Sequence, residues 1–300
     1  PKPEAAAEYA KSANYPRRGF PPARVFVSAS VDREQMREMN LRLTLMDSAQ
    51  AFHWRKIGGV FAAVVDGRVL TSVDEDAFAR AYFDDARDYS RLMEDCAAYP
   101  VAARAVQATP GLRVLNQPPW EALLQFILSA NNNVARIRAL VTALNETYGE
   151  AHAFQGETLH GFPKPEVLAN LTEAELRARV TCGYRAAYLI GTARMVADGF
   201  PLNALSAMPI ERAREELMRL PGVGPKVADC VLLFGCRHAD AFPVDVWVKR
   251  LMADWFGVTG SPAFLAREAR RMFGEGCGLI QQSLFHAARV GLIETGGKTA

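Results

Sequence analysis

Between residues 40 and 75 the apolar positions alternate with polar ones. Leu41, Leu43 and Leu45 are separated by Arg42 and Thr44, and Ala51-Phe52-His53-Trp54-Arg55 continues in the same style, which predicts half-buried strands. Gly58-Gly59 marks a turn, 60–65 a strand, Asp66-Gly67 a hairpin, and 69–73 the returning strand. Residues 40–75 therefore read as an antiparallel sheet. Upstream, Val25, Val27 and Val31 alternate whereas DREQMREMN has helical spacing, so 23–38 stay ambiguous. After about residue 76 the spacing predicts helices only, over 87–98, 100–108, 118–130, 133–148, 165–170, 172–180, 184–198, 209–219, 225–236, 245–257, 262–273 and 277–292, with Pro or Gly in nearly every gap. The expected class is α+β: a loose tail over 1–22, a small N-terminal antiparallel sheet domain with flanking helices over 23–115, and a large helical region over 116–300.

One stretch departs from simple amphipathic patterning. Leu220-Pro221-Gly222-Val223-Gly224 packs a proline and two glycines into five residues, a tight turn or a close backbone approach. Apolar residues at 227, 228, 231 and 234 follow at helical spacing, so a glycine hairpin feeds straight into a helix. Backbone N–H groups beside a positive helix end suit a phosphate. Lys226 stands in the first turn of that helix, the unfavourable end of the macrodipole for a cation. It is a stray surface charge, a phosphate ligand or a functional amine. Asp245, behind Pro243 and ahead of the next apolar helical run, has the position of an N-cap.

Composition narrows the field. Half of the 300 residues are hydrophobic, enough for a sizeable core. The net charge of +2 does not by itself announce a nucleic-acid binder, so a DNA site needs local clustering. The five cysteines, at 96, 182, 230, 236 and 277, form no C-x2-C pair, which argues against a zinc ribbon, and lack the compact spacing of a four-cysteine iron–sulfur site. Reduced thiols of a cytosolic or nuclear protein are expected. No apolar run reaches about 18 residues, so no membrane span is expected. The tail, with Arg17 and Arg18, has no apolar core of a secretory leader.

Two further segments carry chemistry-bearing residues on turns. Asn131-Asn132-Asn133 lies between two apolar helices and is followed by Val134-Ala135-Arg136; on any reading it is a loop or a cap. Gly183-Tyr184-Arg185 sets an aromatic beside an arginine at a turn, an arrangement suited to wedging into a base stack.

Taken together, the glycine hairpin, Lys226 just after it, the downstream Pro243-Val244-Asp245, the asparagine run and Gly183-Tyr184-Arg185 resemble the helix-hairpin-helix (HhH-GPD) glycosylase superfamily of base-excision repair, and in detail its 8-oxoguanine DNA glycosylase branch. The matches run from about residue 40 to residue 292, with the helix-hairpin-helix itself at about 212–236. The resemblance implies a helical glycosylase core and a bifunctional enzyme, a DNA glycosylase with AP lyase activity that flips 8-oxoguanine opposite cytosine out of duplex DNA. Lys226 is then the amine that attacks the sugar C1′ and forms a Schiff base, and Asp245 the carboxylate beside the developing cationic sugar. Cys230 and Phe285 match the pair that sandwiches the flipped base, and Gln281 the residue that reads its Watson–Crick edge. Asn131 matches the side chain that fills the vacated space, Tyr184 the wedge, and Arg136 with Arg185 the contacts to the orphaned cytosine. Gly222, Val223 and Gly224 would grip phosphate, with a monovalent cation allowed at the hairpin carbonyls. No cofactor is implied. A monomer acting on double-stranded DNA is expected, nuclear in a eukaryote and cytoplasmic in a prokaryote, without a membrane partner.

Two positions depart from the family pattern. Ala49, in Ser48-Ala49-Gln50-Ala51-Phe52-His53-Trp54, stands where the family has a glycine whose carbonyl accepts the N7–H of 8-oxoguanine; the added methyl crowds the pocket or demands another φ. Gln50, Phe52 and Trp54 are expected to support that loop. Trp247 replaces a histidine that touches DNA phosphate in many relatives, and that role is not carried over. The competing readings are a glycosylase for another oxidised purine and a non-catalytic helix-hairpin-helix DNA-binding module.

Overall fold

The computed structural model describes residues 36–293. The tail with Arg17 and Arg18, and the alternation at Val25, Val27 and Val31, lie outside the described residues. Arg55–Ile57 (β1), Val60–Val65 (β2) and Arg68–Thr71 (β3) form an antiparallel sheet in that order, with Ile57 opposite Val60 and Val64 opposite Val69. The β2–β3 turn sets Asp66 at φ 50° and Gly67 at φ 73°, the two left-handed residues that a tight hairpin needs.

The segment ahead of this sheet is not a strand. Leu43–Asp47 is a wide helical turn in which the Ser48 N–H donates to the Leu43 carbonyl at 2.8 Å. Asn40 starts it: its side-chain oxygen accepts from the Leu43 N–H at 3.0 Å, as a cap does. Leu41 and Leu45 then share a face four residues apart, a relation that the alternating pattern concealed. Residues 51–54 likewise run as irregular chain, with Phe52 and Trp54 buried. A second correction is the hairpin Ala151–Phe154 (β4) and Glu157–His160 (β5), which lies in the region where the spacing predicts helices only. Its turn, Gln155-Gly156, lacks the usual Asn or Asp, and of its eight strand residues only Leu159 is buried. Leu159 packs with Ile57, Ala62 and Val64 in a small core of its own.

The helices are Ala77–Tyr82 (α1), Leu92–Asp95 (α2), Pro100–Gln107 (α3), Pro119–Ser129 (α4), Val134–Tyr148 (α5), Pro165–Ala169 (α6), Glu173–Val180 (α7), Arg185–Ala197 (α8), Ile210–Leu217 (α9), Pro225–Gly235 (α10), Val246–Phe256 (α11), Pro262–Phe273 (α12) and Cys277–Arg289 (α13). The helix expected over 87–98 is broken, because Asp88 caps a separate short turn at Tyr89–Arg91 before α2. Elsewhere helix starts follow the local chemistry. Proline occupies the first turn of α3, α4, α6, α10 and α12, where its missing N–H costs nothing. Thr172 and Glu175 form a reciprocal capping box on α7.

α4 is the hub, buried along nearly its whole length. α10 crosses it closely because Gly235 has no side chain: a Cβ there would stand 3.0 Å from the Ala122 Cβ and 3.1 Å from the Pro119 Cα. Phe126 of α4 stacks on Phe234 of α10, ring centroids 5.2 Å apart. This crossing brings the C-terminal end of α4 to the N-terminal end of α10, and α13 closes the third side.

Candidate active site

Lys226 leaves the first turn of α10, half-buried, and its Nζ donates to the Ser129 hydroxyl at 2.9 Å. That hydroxyl in turn donates to the Phe126 carbonyl at 2.7 Å, so its lone pairs are left to the lysine. Nζ also lies 5.3 Å from the centre of the Phe126 ring. Asp245 is an N-cap as its position suggested, accepting from the Val248 N–H at 2.8 Å. The cap bond uses its Oδ1, and the residue is half-buried on the cleft wall. Lys226 and Asp245 line one cleft, together with Ala49, Cys230, Gln281 and Phe285; Phe126, Phe234, Pro243 and Gln282 complete its wall. All six residues assigned from the sequence to chemistry and to the base pocket thus meet, although they span positions 49 to 285. The cleft is narrow, about 60 Å³ of free space open to solvent, well below the roughly 300–1,000 Å³ of a drug-sized ligand site.

The wall chemistry suits a planar heterocycle. Burial pushes the Cys230 thiol up to about 11 against the pull of Lys226, so it stays a neutral, polarisable surface. Gln281 donates through Nε2 to the Pro243 carbonyl at 3.3 Å, and its Oε1 is buried without a partner. A buried amide oxygen that the protein leaves unpaired is unfavourable and can serve as an acceptor for a ligand N–H. Ala49 has φ 60°, the left-handed region that a residue with a side chain seldom adopts. The alanine thus takes a conformation that glycine adopts without strain.

That conformation is held by a buried amide network. Gln50 Nε2 donates to the Arg113 carbonyl and its Oε1 accepts from the Leu115 N–H, both at 2.8 Å. Gln117 donates to the Gln50 carbonyl at 2.8 Å, and Gln125 accepts from the Phe52 N–H at 2.8 Å. Trp54 donates to the Tyr82 hydroxyl at 3.1 Å. The supporting roles expected for Gln50, Phe52 and Trp54 follow from these contacts. His53 packs edge-on against Phe162, and burial lowers its imidazole to about 4, leaving it neutral near pH 7.

A second surface gathers Asn131, Asn132, Asn133, Arg136 and Arg185. The asparagines divide the work of the turn. Asn131 is exposed with φ 51°, Asn132 donates to the Leu128 carbonyl at 3.2 Å, and Asn133 caps α5 by accepting from the Arg136 N–H at 2.9 Å. Arg136 is exposed, whereas Arg185 is buried and fastens the turn, donating to the Ala130 carbonyl and to the Asn131 carbonyl at 3.0 Å. Tyr184 is 48% exposed, enough for its ring to meet a partner, and stands edge-on to Tyr188. Tyr188 also seats the hairpin. A Cβ on Gly222 (φ 78°) would fall 2.6 Å from its ring, so only glycine fits there. Thr192 donates to the Pro221 carbonyl at 2.9 Å and the Val223 N–H to the Leu220 carbonyl at 3.1 Å, while Gly224 is exposed at the α10 N-terminus. Among the described residues no group of three or more His, Cys, Asp or Glu side chains is placed to hold a metal ion.

Comparison with known proteins bears on the fold and the family. Residues 124–274 match the model of the HhH-GPD superfamily base excision DNA repair protein. A protein of Methanothermobacter thermautotrophicus named "Probable N-glycosylase/DNA lyase" is 36% identical over 231 residues, 70% of this chain and 73% of its own length. The chain belongs to the HhH-GPD superfamily. An Arabidopsis thaliana relative named N-glycosylase/DNA lyase OGG1 is 31% identical over 83% of this chain and 77% of its own. The Clostridium acetobutylicum 8-oxoguanine glycosylase/lyase, solved with duplex DNA containing cytosine opposite 8-oxoguanine, superimposes with a TM-score of 0.78 at 30% identity, covering 84% of this chain and 92% of its own.

Within this HhH-GPD fold, two side chains of the site carry no signal that the sequence offers. Ser129 ends an apolar helix, where a serine reads as a helix terminus, and only the α4–α10 crossing sets it against Lys226. Gln282 follows Gln281 on a helix that is buried almost throughout, and only the packing of α13 shows that its amide reaches the Ser48 carbonyl, 2.7 Å away. Trp247 stands exposed on the first turn of α11 with the Arg250 guanidinium over its ring, outside the cleft lining.

Proposed function

We propose that this chain is a bifunctional DNA glycosylase/AP lyase that flips 8-oxoguanine from duplex DNA, excises it opposite cytosine, and works through a covalent Lys226 intermediate. The observation that carries the reading is the single cleft in which a half-buried lysine, a carboxylate, an aromatic ring and an unpartnered amide oxygen meet. The names of the archaeal and plant relatives and of the Clostridium complex support the same activity.

The chemistry follows from the groups present. A glycosylase reaches C1′ only after the nucleotide leaves the stack, at a cost of a few kcal/mol. Asn131, Tyr184 and Arg136 are exposed and would offset that cost at the duplex, while the buried Arg185, assigned from the sequence to the orphaned cytosine, instead fastens the turn that carries Asn131. In the cleft the neutral Lys226 amine bonds to C1′ as the bond from C1′ to the base nitrogen breaks; the electron pair leaves with the base, and the proton that the lysine nitrogen then sheds neutralises it. Asp245 offers a fixed negative charge to the sugar while it is cationic. Opening of the sugar ring gives an imine between Lys226 and C1′, and loss of a 2′ proton expels the 3′ phosphate. The Gln281 Oε1 accepts a base N–H, Phe285 and Cys230 cover the two faces, and the backbone at Ala49 meets the purine edge. Lys226 and Asp245 together favour this reading over a non-catalytic DNA-binding module. The six cleft residues named from the sequence all come from one copy of the chain, in keeping with action as a monomer.

The test is borohydride trapping on a duplex carrying 8-oxoguanine opposite cytosine. The parent protein should form a covalent adduct with DNA, and Lys226→Gln should abolish it while leaving duplex binding largely intact. Trapping of Lys226→Gln at the parent rate would assign the amine elsewhere.

A further inference from the structure

Ala49 is held from both sides by groups that lie outside the proposed chemistry. Ahead of it, the Ser48 carbonyl accepts from the Gln282 Nε2 at 2.7 Å in a buried contact. One residue further back, the Asp47 carbonyl accepts from Arg289 of the same helix, and Arg138 donates to the Met46 carbonyl at 2.9 Å. Behind it, the Gln50 side chain is fixed at both ends by backbone groups at 113 and 115. The residue between these anchors sits at φ 60°. An alanine prefers to leave that region, because its Cβ crowds the backbone there. The plane of the 48–49 peptide decides φ at Ala49, and the Gln282 amide is what grips that plane.

The donor type is informative. Gln282 is 2% exposed, so a lysine or arginine in its place would bury a charge, whereas a neutral amide donates to the carbonyl without that cost. Its chain neighbour Gln281 is turned about 100° away around the helix, on the cleft wall with its unpartnered Oε1. One rigid helix therefore fixes both the side chain and, through Gln282, the backbone that line the cleft.

We propose that Gln282 is a positioning residue for base selectivity: it holds Ala49 in the left-handed conformation and so fixes the direction of the peptide groups on one wall of the cleft. This role rests on the reading that the cleft takes an oxidised purine. A peptide group discriminates donors from acceptors on a base edge only while its own orientation is fixed. With glycine at position 49 the left-handed conformation carries no steric penalty, so the demand on Gln282 is a consequence of the alanine.

The test is a double-mutant cycle between Gln282→Met, which keeps the length of the side chain and removes the donor, and Ala49→Gly. Single-turnover excision of 8-oxoguanine opposite cytosine and affinity for an undamaged duplex are measured for the parent, both single variants and the double variant. Gln282→Met should slow excision about tenfold, the scale of leaving a buried carbonyl unpaired, with affinity for undamaged duplex unchanged. Ala49→Gly should restore most of that loss. An equal loss in both backgrounds, or none, overturns the role. If Gln282→Met does not fold, Gln282→Glu serves instead. Its carboxyl donates to Ser48 only when protonated, so its rate relative to the parent should climb as pH falls from about 8 to about 6; a flat ratio overturns the role. A parent that excises no 8-oxoguanine overturns the functional reading and the selectivity role with it, whereas an active parent with an uncoupled cycle overturns the role alone.

Discussion

Asp245→Asn separates the two things that Asp245 does. The carboxylate accepts from the Val248 N–H at 2.8 Å, and an asparagine carbonyl accepts the same bond. Asn and Asp are about equal as N-caps, so the helix start survives. What is lost in the fold is the interaction of a negative charge with the α11 N-terminus, about 0.3–1 kcal/mol. At about 2–4 °C per kcal/mol for a chain of this size, the melting temperature should fall by no more than about 4 °C. The loss in the cleft is of another order. A fixed group aimed at developing charge in a water-poor site contributes about 3–4 kcal/mol, which is a factor of about 10² to 10³ in rate. Single-turnover excision at saturating enzyme measures the rate, and a thermal melt on the same samples measures the fold. Asp245→Ala serves as the reference for lost capping. It should match the Asn variant in rate yet lose a further 0.5–2 kcal/mol or so of stability. An Asn variant within about fivefold of the parent rate, or one whose activity loss tracks its loss of melting temperature, would refute the electrostatic role and leave Asp245 a cap.

Ser129→Ala removes the acceptor that holds Lys226 at 2.9 Å; excision should slow about three- to tenfold with duplex affinity unchanged, and an unaltered rate would show the contact to be incidental. Arg136→Met should flatten the preference for cytosine over adenine opposite the lesion by about 1–3 kcal/mol, read from single-turnover rates on the four duplexes. Arg185→Met, which unfastens the Ala130 and Asn131 carbonyls, should instead lower the melting temperature, and a change in opposite-base preference without such a loss would contradict that assignment. Glu121 is buried in α4, accepting from the Asp66 N–H at 2.7 Å with its other oxygen unpartnered, and burial raises its carboxyl from 4.5 to about 8. The folded state thus keeps a proton that the unfolded chain releases, so this stabilisation is present below about pH 4.5 and is lost as pH rises towards about 8. Glu121→Gln cannot ionise and should be more stable than the parent by about 4 kcal/mol at pH 8 and hardly more stable at pH 4.5; equal pH slopes in urea unfolding would refute the buried proton.

Local chemistry was enough to fix most of the helices from the sequence alone. The starts of α10, α11 and α12 are written in Pro225, Asp245 and Ser261-Pro262, because capping and proline geometry act within one turn of the chain. The glycine hairpin, the asparagine run and Gly183-Tyr184-Arg185 were legible for the same reason: turns demand particular residues wherever they occur. Alternation misled at Leu41, Leu43 and Leu45, since three apolar residues spaced by two also contain a pair spaced by four, and the Asn40 cap selected the helix. The β4–β5 hairpin was hidden because its strands bury too little to show a pattern, and its contact with Val64 is long-range.

Tertiary structure alone decided how the site is joined. The close α4–α10 crossing at Gly235 sets Ser129 against Lys226, 97 positions apart in the chain. The packing of α13 sets Gln282 on Ser48, 234 positions away. It also makes an alanine adopt φ 60°, a conformation that its own preference opposes. Periodicity and turn chemistry reach only a few residues along the chain, whereas these contacts exist only after burial has brought distant elements together.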